Sequence, residues 1–182
     1  MRVTVFGGAN PKPGEAAYQE AFDLGAQLGR TGCTVLTGGY IGTMEAVSRG
    51  AAENNAHVIG VTCDDIERWR KVCANVWVME EWRCPTLRER LFKLIDGCDS
   101  AIALPGGAGT LTEISLTWNL MIVESIPKKP LILVGSGWQD VFNQMFSAMD
   151  GYVTARDRSL LSFVPDVTAA IKLLGDGINN GR

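Results

Sequence analysis

Ser100-Ala101-Ile102-Ala103-Leu104-Pro105-Gly106-Gly107-Ala108-Gly109-Thr110-Leu111-Thr112-Glu113 is the stretch whose reading decides the fold. Its first five residues form a short apolar run of the kind that makes a strand buried on both faces. Glycines at 106, 107 and 109 then break the run, and apolar residues recur at helical spacing up to Val123. The segment therefore reads as a strand over 100–104, a glycine turn, and a helix over 110–123.

The same unit repeats on both sides. Towards the N-terminus the pattern predicts a strand over 3–6, a helix over about 15–30 with Ala17, Ala21, Leu24 and Leu28 on one face, and a stop at Gly32. A strand over 33–36, a glycine loop, a helix over 44–53 and a strand over 58–61 follow. Beyond 84 the alternation continues with a helix over 86–95, and after the central stretch with a strand over 131–134 and a helix over 138–149. A strand over 76–79 and a closing helix over 167–174 complete the series. Strand and helix in alternation make an α/β protein with a doubly wound, mainly parallel sheet and helices on both faces. No linker or repeat interrupts it, so residues 1–175 are expected to be one domain, with 176–182 a flexible tail rich in Gly and Asn.

Bulk properties narrow the class. At 182 residues the chain can bury a full core without staples, and its 46% hydrophobic and 20% charged content is that of a globular domain. Seventeen basic and twenty acidic side chains leave a formal charge of −3, with no field to hold a polyanion, and aromatic platforms interleaved with basic residues are absent, so nucleic acid is not an expected partner. The opening run Met1-Arg2-Val3-Thr4-Val5-Phe6 is too short for a signal sequence and no stretch is long enough to span a bilayer, so no membrane association is expected. Five widely spaced cysteines without a C-x-x-C pair suit a reducing compartment, here the cytoplasm. With His57 the single histidine and no clustered ligands, no metal site is expected.

Three glycine loops fall after expected strands: Gly7-Gly8-Ala9-Asn10, Gly38-Gly39-Tyr40-Ile41-Gly42-Thr43, and Pro105 to Thr110. In open α/β sheets ligands lie beyond the carboxyl ends of the strands, where glycines let the backbone approach a phosphate and a helix start offers free N–H groups. None of the loops is a G-x-G-x-x-G or G-x-x-x-x-G-K-[ST] motif, which disfavours a dinucleotide or a Walker-type triphosphate and points to a smaller phosphate ligand. The loop at 105–110 is the strongest candidate. Two readings fit Thr110 and Glu113: a capping box at the helix start, or a hydroxyl beside a phosphate with a carboxylate one turn above it, placed to stabilise positive charge on a sugar carbon or to orient water.

The nine residues Pro105-Gly106-Gly107-Ala108-Gly109-Thr110-Leu111-Thr112-Glu113 match the signature P-G-G-x-G-T-x-x-E, and in this the chain resembles the Lonely Guy family, the cytokinin riboside 5'-monophosphate phosphoribohydrolases once misannotated as lysine decarboxylases. Gly38 to Met44 resembles that family's first glycine loop, and the element order over about 1–175 agrees. The resemblance implies a Rossmann-like fold, hydrolysis of a purine nucleoside 5'-monophosphate to free base and ribose 5-phosphate, no cofactor, and a homodimer. It implies that Arg90 and Glu113 are catalytic. The glycine loops and the resemblance together mark Gly8, Gly38, Gly39, Gly42, Thr43, Met44, Gly106, Gly107, Gly109 and Thr110 as expected nucleotide-binding residues. The family's Arg-Lys pair is here Arg90-Leu91, a departure that bears on the substrate. Gly42 to Val47 looks more like a sister group that includes the molybdenum cofactor carrier proteins, which implies the alternative of a carrier without hydrolysis. No lysine stands in a setting suited to pyridoxal phosphate.

Other residues have plainer readings. Arg90 taken alone is a helix-surface arginine with Glu89 or Asp96 as partner, and His57 is structural. Leu116, Trp118, Leu120, Met121 and Ile122 surround much of their helix, which suits either a dimer interface or burial within the subunit. The segment 63–84, with six charged residues around Trp69, reads as a mobile flap or as a solvated loop anchored by that tryptophan.

Overall fold

The computed structural model describes the backbone of residues 1–180 and the side chains of residues 1–176. β1 (Arg2–Phe6), α1 (Ala16–Arg30), β2 (Thr34–Thr37), α2 (Thr43–Glu53) and β3 (Val58–Cys63) form the first half. They are followed by α3 (Asp64–Arg70), β4 (Glu80–Cys84), α4 (Leu87–Asp96), β5 (Ser100–Ala103) and α5 (Ala108–Ile122). β6 (Leu131–Val134), α6 (Ser136–Ala148), α7 (Ala155–Arg158), β7 (Ser162–Val164) and α8 (Val167–Asn180) complete the chain.

The seven strands form one sheet in the order β4-β3-β2-β1-β5-β6-β7, with every pairing parallel. This is a doubly wound, Rossmann-like α/β fold. β1 is central: Val3 lies opposite Val35 of β2 and Ser100 of β5. The first four strands build outwards in one direction, and the chain then returns through α4 to place β5 on the other side of β1. The sheet order therefore reverses between β1 and β5, the position at which such folds leave a crevice.

Alternation along the strands divides the core. Val3 and Val5 point into the cluster under α1, α2 and α8, while Phe6 joins the opposite cluster with Leu94, Ile95, Ile114 and Phe142. On the first face α1 and α2 touch backbone to backbone. A Cβ on Gly50 would stand 2.0 Å from the Phe22 carbonyl oxygen, and one on Gly25 2.2 Å from that of Val47, so only glycine fits either place.

Several expectations are corrected. The strand expected over 76–79 lies instead at Glu80–Cys84. Val76 is 89% exposed and Met79 58%, whereas β4 is an edge strand whose polar side chains face solvent, so apolar patterning pointed to the wrong residues. α7 and β7 were not anticipated, being four and three residues long. α5 begins at Ala108 rather than at Thr110. The closing helix expected over 167–174 continues to Asn180 as α8; the last residues of the expected tail, 181–182, lie outside the described residues.

Candidate functional site

The three glycine loops meet at the reversal between β1 and β5. The Gly8 amide donates to the Pro105 carbonyl at 3.2 Å, and the Thr43 amide donates to the Gly8 carbonyl at 3.0 Å. Such close passage requires missing side chains: a Cβ on Gly42 would lie 2.5 Å from the Ala9 carbonyl carbon, and one on Gly106 2.2 Å from Thr110 Oγ1. Above them opens a cleft of about 410 Å³, bounded by Gly8, Asn10, Tyr40, Met44, Arg90, the residues Gly107 to Thr110, and Glu113. Its volume is that of a small-molecule site.

One wall is the start of α5. Gly107 occupies the N-cap position and no side chain caps the helix. The first main-chain bond runs from the Leu111 amide to the Gly107 carbonyl at 3.0 Å, which leaves the N–H groups of Ala108, Gly109 and Thr110 as the orphan donors of a helix start. A Cβ at Gly107 or Gly109 would meet nothing within 4 Å. Packing within the protein does not account for these two glycines; they leave the positive end of the helix open to the cleft.

The floor is a buried ion pair. Arg90, on α4, is 5% exposed and Glu113, on α5, is 8% exposed. Arg90 Nε donates to the Val61 carbonyl at 2.7 Å and Nη2 to the Gly38 carbonyl at 3.2 Å, which fixes the guanidinium between β2 and β3. Nη1 is then directed at Glu113 Oε1, 3.8 Å away. Gly38 makes this possible, since a Cβ there would stand 2.0 Å from Nη2. Tyr40 lies 5.7 Å from the guanidinium, and its hydroxyl is locked to the main chain of Cys63, with burial pushing its pKa up to about 12.

Burial pushes the Glu113 carboxyl up from 4.5 to about 7, and the Arg90 charge offsets only part of that rise. Among the described residues no protein group donates a hydrogen bond to the Glu113 carboxylate, which faces the cleft, and at 3.8 Å the cation is in Coulombic reach without close contact. The result is a carboxyl group that exchanges its proton near neutral pH. The capping-box alternative does not hold: with α5 starting at Ala108, Thr110 is already inside the first turn and Glu113 one turn further on.

The expected site residues separate into two groups. Gly8, Met44, Gly107, Gly109, Thr110, Arg90 and Glu113 border the cleft. Gly38, Gly39, Gly42, Thr43 and Gly106 stand behind it and shape it; Thr43, for example, is 3% exposed, and its methyl group occupies the space a Cβ on Gly7 would need. Leu91 does not border the cleft. Among the described residues no group of three or more His, Cys, Asp or Glu is placed to hold a metal ion, and no helix is long and apolar enough to cross a membrane.

Sequence reasoning missed Tyr40, Ile66, Arg70 and Val72 as cleft residues, and placed Trp69 on a flap or loop. Its first part, Asp64–Arg70, is the helix α3, and Trp69, 72% exposed, does not anchor it. Arg83 Nη2 holds Asp64 and Glu67 at 2.7 Å each, Asp65 accepts from the Leu87 amide at 2.8 Å, and Asn75 Nδ2 donates to the carbonyls of Gly39 and Tyr40 at 3.0 and 2.9 Å. The clustered charges that looked like a solvated surface are the clamp. α5 likewise uses Trp118 and Met121 inside the subunit: Trp118 meets Phe142 edge-on at 5.7 Å between ring centres, and Met121 is fully buried.

A family model described as the SLOG cluster4 family matches residues 1–155. The chain belongs to the SLOG cluster4 family. This SLOG cluster4 protein is 32% identical over 171 residues to the cytokinin riboside 5'-monophosphate phosphoribohydrolase LOG of Oryza sativa subsp. japonica, covering 90% of this chain and 68% of that one. It is 27% identical over 177 residues to the cytokinin riboside 5'-monophosphate phosphoribohydrolase of Rhodococcoides fascians, covering 93% and 86%. Its fold is also that of the molybdenum cofactor binding protein from Rippkaea orientalis, with a TM-score of 0.75, 22% identity, and coverage of 97% of this chain and 96% of that one. The family relation agrees with the resemblance drawn from the signature at 105–113.

Proposed function

We propose that this protein hydrolyses the N-glycosidic bond of a purine nucleoside 5'-monophosphate, giving free base and ribose 5-phosphate. The observation that carries the reading is the Arg90–Glu113 pair, buried beside an uncapped helix start at the reversal of strand order. The phosphate is held by the N–H groups of Gly107 to Thr110, so the ribose lies over the ion pair. As the bond from C1' to the base nitrogen breaks, its electrons leave with the base, and C1' takes on oxocarbenium character. Ionised Glu113 stabilises that charge more than it stabilises the ground state. It also takes a proton from the water whose oxygen bonds to C1', and the departing base nitrogen gains a proton in turn. Arg90 orients Glu113 and ribose or phosphate oxygens through its free Nη1 donors. The relatives' names support the same reaction class.

A second reading keeps the phosphate site without turnover: a nucleotide or molybdenum-cofactor carrier. It is favoured by Gly42 to Val47 and by Leu91 in place of the family lysine. Incubation with adenosine, guanosine and N6-prenyladenosine monophosphates, with free base followed by chromatography, separates the two. Base release by the wild type that is lost in Glu113→Gln and Arg90→Ala supports hydrolysis; tight binding with no release supports the carrier.

In this reading residues 1–175 act as one nucleotide-binding domain in the cytoplasm, where the free thiols stay reduced. The subunits associate as a homodimer through apolar side chains left open on α4 and α5, Phe92 (45% exposed) and Leu111 (39%) among them. Sedimentation showing only a species of one chain's mass, 19.7 kDa, at micromolar concentration would remove the dimer.

A further inference from the structure

The cleft changes character along its length. Its inner end is the α5 start and the Arg90–Glu113 floor, both polar, whereas its outer wall is formed by Ile66, Trp69, Arg70 and Val72 on and just after α3. Of the five tryptophans Trp69 alone is exposed, at 72%. An indole in water forgoes a large hydrophobic gain, and α3 does not need it for support, since charged pairs to Arg83 and the Leu87 amide bond hold that helix. Arg70 lies over one face of the indole with its guanidinium carbon 4.3 Å from the ring centre, and an exposure of 72% leaves the rest of the side chain largely open.

We propose that Trp69, backed by Arg70, is the stacking platform for the planar base of the ligand, an assignment that rests on the nucleotide site proposed above. The phosphate is fixed at one end of the cleft and the base lies flat on the indole at the other, so the glycosidic bond spans the buried ion pair between them. Stacking tolerates any base, because each presents a π-face, so the platform supplies affinity and alignment while leaving the choice of base to other contacts. Arg70 keeps the indole in one orientation and adds positive charge to the mouth through which a phosphate enters.

The test compares two ligands in calorimetry, adenosine 5'-monophosphate, which carries a base, and ribose 5-phosphate, which does not. Trp69→Ala is expected to weaken the nucleotide by about 5- to 150-fold, from the usual worth of one base–aromatic stack, and to leave ribose 5-phosphate within twofold. Trp69→Phe retains a ring and is expected to recover most of the loss. Quenching of tryptophan fluorescence by the nucleotide in the wild type is expected to disappear in Trp69→Phe. Equal nucleotide affinity in wild type and Trp69→Ala overturns the platform while the nucleotide site stands. An equal loss for both ligands also overturns it, since Trp69 then only shapes the cleft. Failure of both ligands to bind the wild type removes the nucleotide site and the platform with it.

Discussion

Glu113→Gln should make the protein more stable above neutral pH while removing its turnover. Glutamine has nearly the shape of glutamate and cannot ionise, so the substitution isolates the cost of a buried charge. In the folded protein burial raises the carboxyl from 4.5 to about 7; the folded state therefore holds a proton where the unfolded chain has released it. Stability contributed by this group is complete below about pH 4.5, falls as pH rises, and levels off above about 7. At 1.36 kcal/mol per pH unit the interval corresponds to about 3 kcal/mol. The two proteins should then have the same unfolding free energy near pH 4.5, and the glutamine variant should exceed the wild type by about 3 kcal/mol at pH 8. Guanidinium chloride unfolding of both proteins between pH 4.5 and 8 measures the difference, in which all other titrating groups cancel. A difference that does not change with pH would refute the reasoning, because the carboxyl would then be as well solvated in the folded protein as outside it. Greater stability with lost activity is the trade expected of a functional site that buries a charge.

Turnover in the wild type should rise with pH and level off above about 7 as Glu113 ionises, and a kcat/KM profile flat through that range would mean that another group sets the reaction. Arg90→Ala leaves a buried carboxyl without its cation and removes two bonds to main-chain carbonyls, so urea unfolding should show a loss of about 3–5 kcal/mol and base release should fall at least about 100-fold. A Cβ at Gly109 would meet no atom within 4 Å; the melting temperature of Gly109→Val should stay close to that of the wild type while calorimetry shows weakened nucleotide binding, and unchanged affinity would remove the phosphate from the α5 start. Gly38→Ala, by contrast, forces a Cβ to 2.0 Å from Arg90 Nη2 and should lower kcat although residue 38 does not border the cleft.

Much of the architecture was legible along the chain because its signals are local. Apolar runs bounded by glycine, such as Val3 to Phe6 and Ser100 to Leu104, can be satisfied only as strands covered on both faces, and helical spacing between them fixes the crossovers. The nine-residue signature marked the loop and the glutamate before any geometry was known. β4 escaped this reading because an edge strand is half solvated, and Glu80–Cys84 has no apolar pattern to betray it.

What the sequence by itself determined was the fold class, the place of the glycine loops at strand ends, and the candidacy of Arg90 and Glu113. Only the tertiary structure decided between capping box and buried acid, because that choice depends on where α5 starts and on an arginine 23 positions earlier in the chain being held 3.8 Å away. Only the structure, too, divided the glycines into those that border the cleft and those that let backbones pass behind it, and brought Trp69 to its rim. Burial and proximity are properties of the assembled sheet: a carboxyl's pKa and an indole's exposure depend on atoms far away in sequence, and no local pattern records them.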